Sequence, residues 1–157
     1  MDTNKRKQFR TLGKILFVVY ILFILYFLIF SDWYGRSGVM EEYHYNLTPF
    51  LEIQRFWEYR NQLGVWSAVN LFGNVLVFVP FGFFEPMASK RRSFWGTVFD
   101  GLFLSMVVEV FQLVTKVGRF DVDDLILNTL GAVIGHLLFL ICNAMRRMYS
   151  AKRKRTR

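Results

Sequence analysis

The residues of this chain best suited to chemistry are Glu109, set inside an apolar run, and Arg119, Asp121, Asp123 and Asp124 just beyond it. A carboxyl group in apolar surroundings can act as a general base, because desolvation disfavours its charged form and raises its proton affinity. Arg119 can hold a phosphate or carboxylate through two parallel N–H donors. Asp121, Asp123 and Asp124 offer the oxygen donors a divalent cation takes, and such a cation could bridge to a lipid phosphate; three clustered carboxylates permit this without diagnosing it, so no metal ligand is assigned. The catalytic candidates are thus Glu109, Arg119, Asp121 and Asp124. No Gly-x-Ser-x-Gly elbow, His-Glu-x-x-His pair, Ser-x-x-Lys or phosphate-binding loop accompanies them. Of the two histidines, His44 reads as a surface residue and His136 as a hydrogen-bonded packing residue. The sequence names no cofactor.

Such residues need elements to position them, and composition says which. The 157 residues are 54% hydrophobic and 18% aromatic yet carry a net charge of +8. Charge and apolar residues are segregated, which excludes a nucleic-acid binder that would interleave them along one face. About 20 apolar residues cross a hydrocarbon core roughly 30 Å thick. Four stretches qualify, at about 12–30, 63–87, 94–114 and 124–145. The predicted fold is all-α: a polytopic integral membrane four-helix bundle forming one domain over 12–145, with a basic N-terminus (1–11) and a basic tail (146–157). The first stretch is too long for a signal-peptide core, and Ser31-Asp32-Trp33-Tyr34 offers no cleavage site, so it reads as a retained helix. Cys142, beside the apolar run 137–141, excludes an internal disulfide and reads as a buried filler.

Orientation follows from Lys and Arg in short loops. Lys5, Arg6, Lys7, Arg10 and Lys14, then Lys90, Arg91 and Arg92, then the tail from Arg146 to Arg157 place three segments in the cytoplasm. The first loop offsets Arg36, Arg55 and Arg60 with acids, and the third offsets Lys116 and Arg119 with Asp121, Asp123 and Asp124. These two face outside, which makes a multi-pass cell-membrane protein with both termini cytoplasmic. Within the first loop, 51–63 places Ile53, Phe56, Trp57 and Leu63 toward one side of a short amphipathic helix suited to the membrane interface. The preceding Asn46-Leu47-Thr48-Pro49-Phe50 is a turn in which Asn46 or Thr48 could cap that helix. Its fit to the glycosylation pattern is discounted as chance.

Topology then gathers the polar residues. Ser67, Asn70 and Asn74 on the second span, Ser105, Glu109 and Gln112 on the third, and Asp121, Asp124 and Asn128 on the fourth form stripes at one depth, toward the outside. An intramembrane carboxylate costs about 3 kcal/mol to insert, while each Leu or Ile returns about 0.5, so Glu109 calls for a partner or a water-filled cavity. Structural readings stand beside this one. Asn, Gln and Ser can join helices, Gly131 and Gly135 are a close-packing pattern, and Asp121 or Asp123 can cap the fourth helix. The convergence of Glu109, Arg119, Asp121 and Asp124 favours an outward pocket lined by Asn70, Asn74, Glu109, Gln112, Arg119, Asp121, Asp124 and Asn128.

The order and spacing of several blocks resemble the VanZ-like family. They are Asn46-Leu47-Thr48-Pro49-Phe50; Asn70-x-x-Gly73-Asn74 leading to Phe78-Val79-Pro80-Phe81-Gly82; Ser105-x-x-x-Glu109-x-x-Gln112; and Gly118-Arg119-x-Asp121-x-Asp123-Asp124-x-x-x-Asn128-Thr129-x-Gly131-x-x-x-Gly135. The family takes its name from an accessory protein of glycopeptide-resistance clusters in Gram-positive bacteria, associated with reduced susceptibility to teicoplanin. The resemblance implies a protein of the bacterial cell envelope. Two functions are expected: binding or masking a lipid-linked envelope component or the acyl chain of a lipoglycopeptide, or an integral membrane hydrolase or transferase acting on an outer-leaflet lipid. The implied partners are membrane lipids and that ligand, with no nucleic acid; oligomeric state is not legible in the sequence.

Overall fold

The computed structural model describes residues 3–30, 42–59, 64–89 and 93–155. Side chains of 3–6, 27–30, 64–67, 70 and 153–155 lie outside that description, and with them those of Ser67 and Asn70. The basic turn 90–92, the segment 31–41, and residues 60–63 with Arg60 and Leu63 lie outside it altogether. The described residues form helices α1 (Thr3–Phe30), α2 (Leu51–Tyr59), α3 (Gly64–Ala88), α4 (Phe94–Thr115) and α5 (Val122–Arg155). All but α2 contain a stretch long and apolar enough to cross a membrane: Lys7–Tyr26, Leu71–Ala88, Phe94–Thr115 and Val122–Lys152. The chain is an all-α polytopic membrane bundle, as its composition predicts.

Two helices extend past their sequence-based bounds. At 1.5 Å per residue, the 34 residues of α5 span about 51 Å, well beyond a hydrocarbon core of about 30 Å. The basic tail therefore continues the helix, consistent with the good helix propensity of Lys and Arg and their fit to a helix C-terminus. Similarly, α1 starts at Thr3, inside the basic N-terminal segment.

Contacts define two ends of the bundle. At the tail end, the Arg146 guanidinium of α5 lies 3.8 Å from the Phe9 ring of α1, and Gly13 packs on the backbone of Met87 in α3. At the latch end, strand β1 (Tyr45–Asn46) pairs in parallel with β2 (Phe120–Asp121), Tyr45 opposite Phe120 and Asn46 opposite Asp121. The Phe120 N–H also donates to His44 O at 3.1 Å. Thus α3 and α5 run from latch to tail, parallel to each other, while α1 and α4 run back on either side.

The centre is the α3–α5 contact. A Cβ built on Gly131 or Gly135 would overlap the carbonyl oxygens of Val75 and Val79, and one on Gly82 would overlap that of Ala132. These backbones touch with no side chain between them, the small-residue packing that dispersion favours where lipid supplies no hydrophobic drive. Tyr20, Ile24, Phe78, Phe81 and Ala132 pack around the contact, with the Phe17 ring 5.5 Å from that of Phe81.

Pro80 and Pro86 lie inside α3 and withhold two N–H groups from its ladder. Near the first of them, Tyr20 Oη of α1 donates to Val77 O. Tyr20→Phe keeps the ring against Phe84, 6.3 Å away, and removes only the donor. It is expected to cost about 1 kcal/mol in equilibrium unfolding in detergent, the usual net value of one hydrogen bond.

Large apolar residues on the outer faces of α1, α4 and α5, such as Leu22, Phe99, Phe103 and Ile141, are exposed, as lipid contact requires. Cys142 belongs to this surface. It is exposed, beside Leu138, Ile141 and Met145, rather than buried as its neighbours suggest. Apolar neighbours mark a lipid-facing surface as readily as a core.

Candidate functional site

The latch end holds the polar stripes, and each side chain is placed by the helix that carries it. From α4, Glu109 and Gln112 point inward one turn apart, 2% and 7% exposed. Glu109 Oε2 accepts the Asp121 N–H at 3.0 Å, so the carboxylate holds the start of α5. Gln112 lies beneath the loop to α5, where a Cβ on Gly118 would come within 2.9 Å of its Oε1, and its backbone carbonyl accepts the Gly118 N–H at 3.3 Å. One turn deeper, Ser105 Oγ accepts from Asn128 Nδ2 at 2.9 Å, both residues buried.

Asp121, 1% exposed, is the N-cap of α5: its Oδ1 accepts the Asp123 N–H at 2.9 Å. The same oxygen accepts from Asn46 Nδ2 at 3.1 Å, which joins the first loop to α5 through side chains as well as through the β1–β2 pair. Oδ2 lies 3.0 Å from Arg119 Nη2, close enough for an ion pair but off the hydrogen-bonding direction. Burial pushes the Asp121 carboxyl above the usual carboxylate range, opposed by the Asp123 N–H and the Arg119 charge. For Arg119, burial works against the charge, but Glu52 first, then Asp121 and Asp124, outweigh it and keep the guanidinium protonated. Arg119 Nη2 lies 2.8 Å from Glu52 Oε1 on α2, and the Arg119 side chain is still 42% exposed. The same Glu52 Oε1 also accepts from Arg55 Nη1 at 3.0 Å, and the Arg55 side chain is 50% exposed, so Arg119 is the more enclosed of two cations on Glu52.

Asp123 does something the sequence does not foretell. Fully buried, it turns away from its own helix and receives backbone N–H groups from the first turn of α2: Phe50 on Oδ1, and Glu52 at 2.7 Å and Ile53 at 3.4 Å on Oδ2. The cap of α2 therefore comes from α5. Neither Asn46 nor Thr48 caps it, because Asn46 Oδ1 is taken by the Thr48 N–H at 3.0 Å in a local turn. Phe50 adopts φ 66°, a left-handed conformation unusual for a bulky residue, and so turns its N–H toward the carboxylate. α2 itself ends at Tyr59 and has no fully buried residue; Ile53 and Phe56 are half-buried, with the Phe56 ring 6.3 Å from Phe72 of α3, while Trp57 is exposed.

Of the expected pocket residues, Glu109, Arg119 and Asp121 meet directly or through one backbone group. Asn74 and Asp124 pair through Asn74 Nδ2 and Asp124 Oδ1. Asn128 is bonded to Ser105 deeper in the bundle, Gln112 is buried under the loop at Gly118, and the Asn70 side chain lies outside the description. Asp121, Asp123 and Asp124 turn toward separate partners, and among the described residues no group of three His, Cys, Asp or Glu side chains is placed to hold a metal ion. Glu52 and Asn46 complete the cluster and were missed as site residues. Their signal was position: the first turn of α2 and the turn before it both fall opposite the acidic loop. The arrangement is a hydrogen-bonded framework in which the buried Asp121 and the partly exposed Glu52 flank a half-exposed Arg119; Trp57 and Tyr59, farther along α2, are exposed.

Comparison with known proteins places the chain in a family. The family model described as VanZ/LLP1 matches residues 17–143. Among curated proteins, Protein VanZ from Enterococcus faecium is 28% identical over 137 residues, which cover 85% of this chain and 77% of that relative. No solved structure matches.

Proposed function

The chain belongs to the VanZ/LLP1 family, and on that premise we propose that its latch end faces outside and binds or masks a lipid-linked component of the cell envelope, lowering susceptibility to lipoglycopeptides such as teicoplanin. The observation that carries this reading is the Arg119–Glu52–Asp121 face, a charged group left half-open where the framework around it is buried. A guanidinium so placed can hold an anionic or hydroxyl-rich headgroup, and the exposed Trp57 and Tyr59 are residue types suited to the boundary between acyl chains and headgroups. Glu109 supports binding rather than catalysis, because its carboxylate holds the Asp121 backbone.

The test is expression in a sensitive host, with teicoplanin susceptibility and envelope lipid composition measured together. Arg119→Ala is expected to lose most of the protection. A charge-assisted contact contributes about 1.5 kcal/mol or more, roughly tenfold in affinity. Glu109→Gln is expected to keep protection, since its amide oxygen still accepts the Asp121 N–H. Lipid composition should be unchanged in both. Loss of protection in Glu109→Gln together with accumulation of an unmodified lipid would overturn masking in favour of a hydrolase or transferase.

A further inference from the structure

At the opposite end of the bundle, three side chains that play no part in the latch meet in the interior. Glu85 of α3, Thr97 of α4 and His136 of α5 form one chain of contacts: Thr97 Oγ1 lies 2.6 Å from Glu85 Oε2 and 2.8 Å from His136 Nδ1. Thr97 and His136 are essentially without solvent exposure, whereas Glu85 is half-buried, three residues from the end of α3. The same hydroxyl is 3.2 Å from Ser93 O.

Proton counting limits what this arrangement can be. A hydroxyl has one proton to donate and two lone pairs, so it cannot donate to Glu85, His136 and Ser93 at once. If Glu85 is ionised, Thr97 donates to it and must accept from His136, whose Nδ1 then carries a proton. If Glu85 is protonated, it donates to Thr97, which is then free to donate to His136 Nδ1. The identity of the donor at each link therefore depends on where the proton resides.

We propose that Glu85, Thr97 and His136 form a proton relay through which the buried His136 exchanges protons with the tail-end surface by way of Glu85. In the forward step the Glu85 O–H and the Thr97 O–H break while a new Thr97 O–H and a His136 Nδ1–H form. The products are a carboxylate and an imidazolium, with Thr97 unchanged. The reverse step restores the starting state, and no other reactant is needed. Among the described residues, Glu85 also meets the charge of Asp100 of α4 and the Ser89 side chain, while His136 faces the rings of Phe94 at 5.5 Å and Phe139 at 6.2 Å. The relay thus has a polar mouth at Glu85 and an aromatic-walled end at His136.

The experiment uses the full chain in lipid nanodiscs, with His-selective ¹⁵N labelling to report the state of His136 and the infrared carbonyl band of protonated Glu85, assigned with Glu85→Gln. In the wild type the two probes are expected to share their titration midpoints, as groups coupled by more than about one pK unit do. Thr97→Val should separate those midpoints, and Thr97→Ser should restore them. Independent midpoints in the wild type, or shared midpoints that survive Thr97→Val, would overturn the relay. Should Thr97→Val fail to fold, Glu85→Gln decides: the relay requires it to shift the His136 midpoint, and an unmoved midpoint rejects it.

Discussion

Gly135→Ala is expected to destabilise the bundle by about 3 kcal/mol or more, although it adds a single methyl group to a helix and improves local helix propensity by about 1 kcal/mol. The added Cβ would overlap the Val79 carbonyl, which belongs to a helix backbone and has no rotamer through which to move aside. Overpacking in a core usually costs about 1–3 kcal/mol because neighbouring side chains yield. Here the helices themselves must separate. Separation at Gly135 also loosens Gly131 against Val75 and Gly82 against Ala132, since all three lie along one line of contact. The measurement is reversible unfolding in detergent or bicelles, followed for Gly131→Ala and Gly135→Ala in parallel. Stability within about 0.5 kcal/mol of wild type, the spread ordinary for surface substitutions, would mean that α3 and α5 do not touch there.

That contact was half-legible. The spacing of Gly131 and Gly135 announces close packing, but not the helix that receives it. Hydropathy and charge found the four long helices, because lipid demands an apolar run wherever the chain crosses. Helical phase placed Asn74, Glu109, Asp121, Asp124 and Asn128 at one depth, and the structure joins Asn74 to Asp124 and Glu109 to the backbone of Asp121. What escaped has a common cause. Capping rules read neighbours along the chain, whereas Asp123 caps a helix about 70 residues earlier. Thr97 looks like an ordinary first-turn residue and Glu85 like a helix-end carboxylate until α5 brings His136 to the far side of the Thr97 hydroxyl. Pairings of this kind depend on which helix lies beside which, and an apolar pattern that any of four spans could satisfy does not specify it.

Asp123→Ala is expected to release α2 from the latch while leaving the spans assembled. Three backbone N–H groups lose their acceptor, and hydrogen bonds to a charged group contribute about 1.5–3 kcal/mol each when intact. Water can re-solvate part of this loss at an exposed helix, so a net cost of about 2–3 kcal/mol is expected, near the upper end for a lost cap. Among the described residues the nine-residue α2 is held further by the Phe56–Phe72 ring contact and by the Glu52–Arg119 ion pair, which depends on Glu52 staying in place, and it has no buried residue of its own. A helix that short is not stable alone. Limited proteolysis near residues 46–52 should therefore accelerate and Trp57 emission should shift, with the far-UV helical signal nearly unchanged. Asp123→Asn, which keeps one acceptor oxygen, should fall between Ala and wild type. Under the masking proposal, protection against teicoplanin should fall in the same order, because Arg119 loses the partner that α2 presents to it. If chelation of divalent cations reproduced the Asp123→Ala behaviour in the wild type, the carboxylate would be serving a metal ion. If α2 stayed protected in Asp123→Ala, the cross-helix cap would not be what holds the latch.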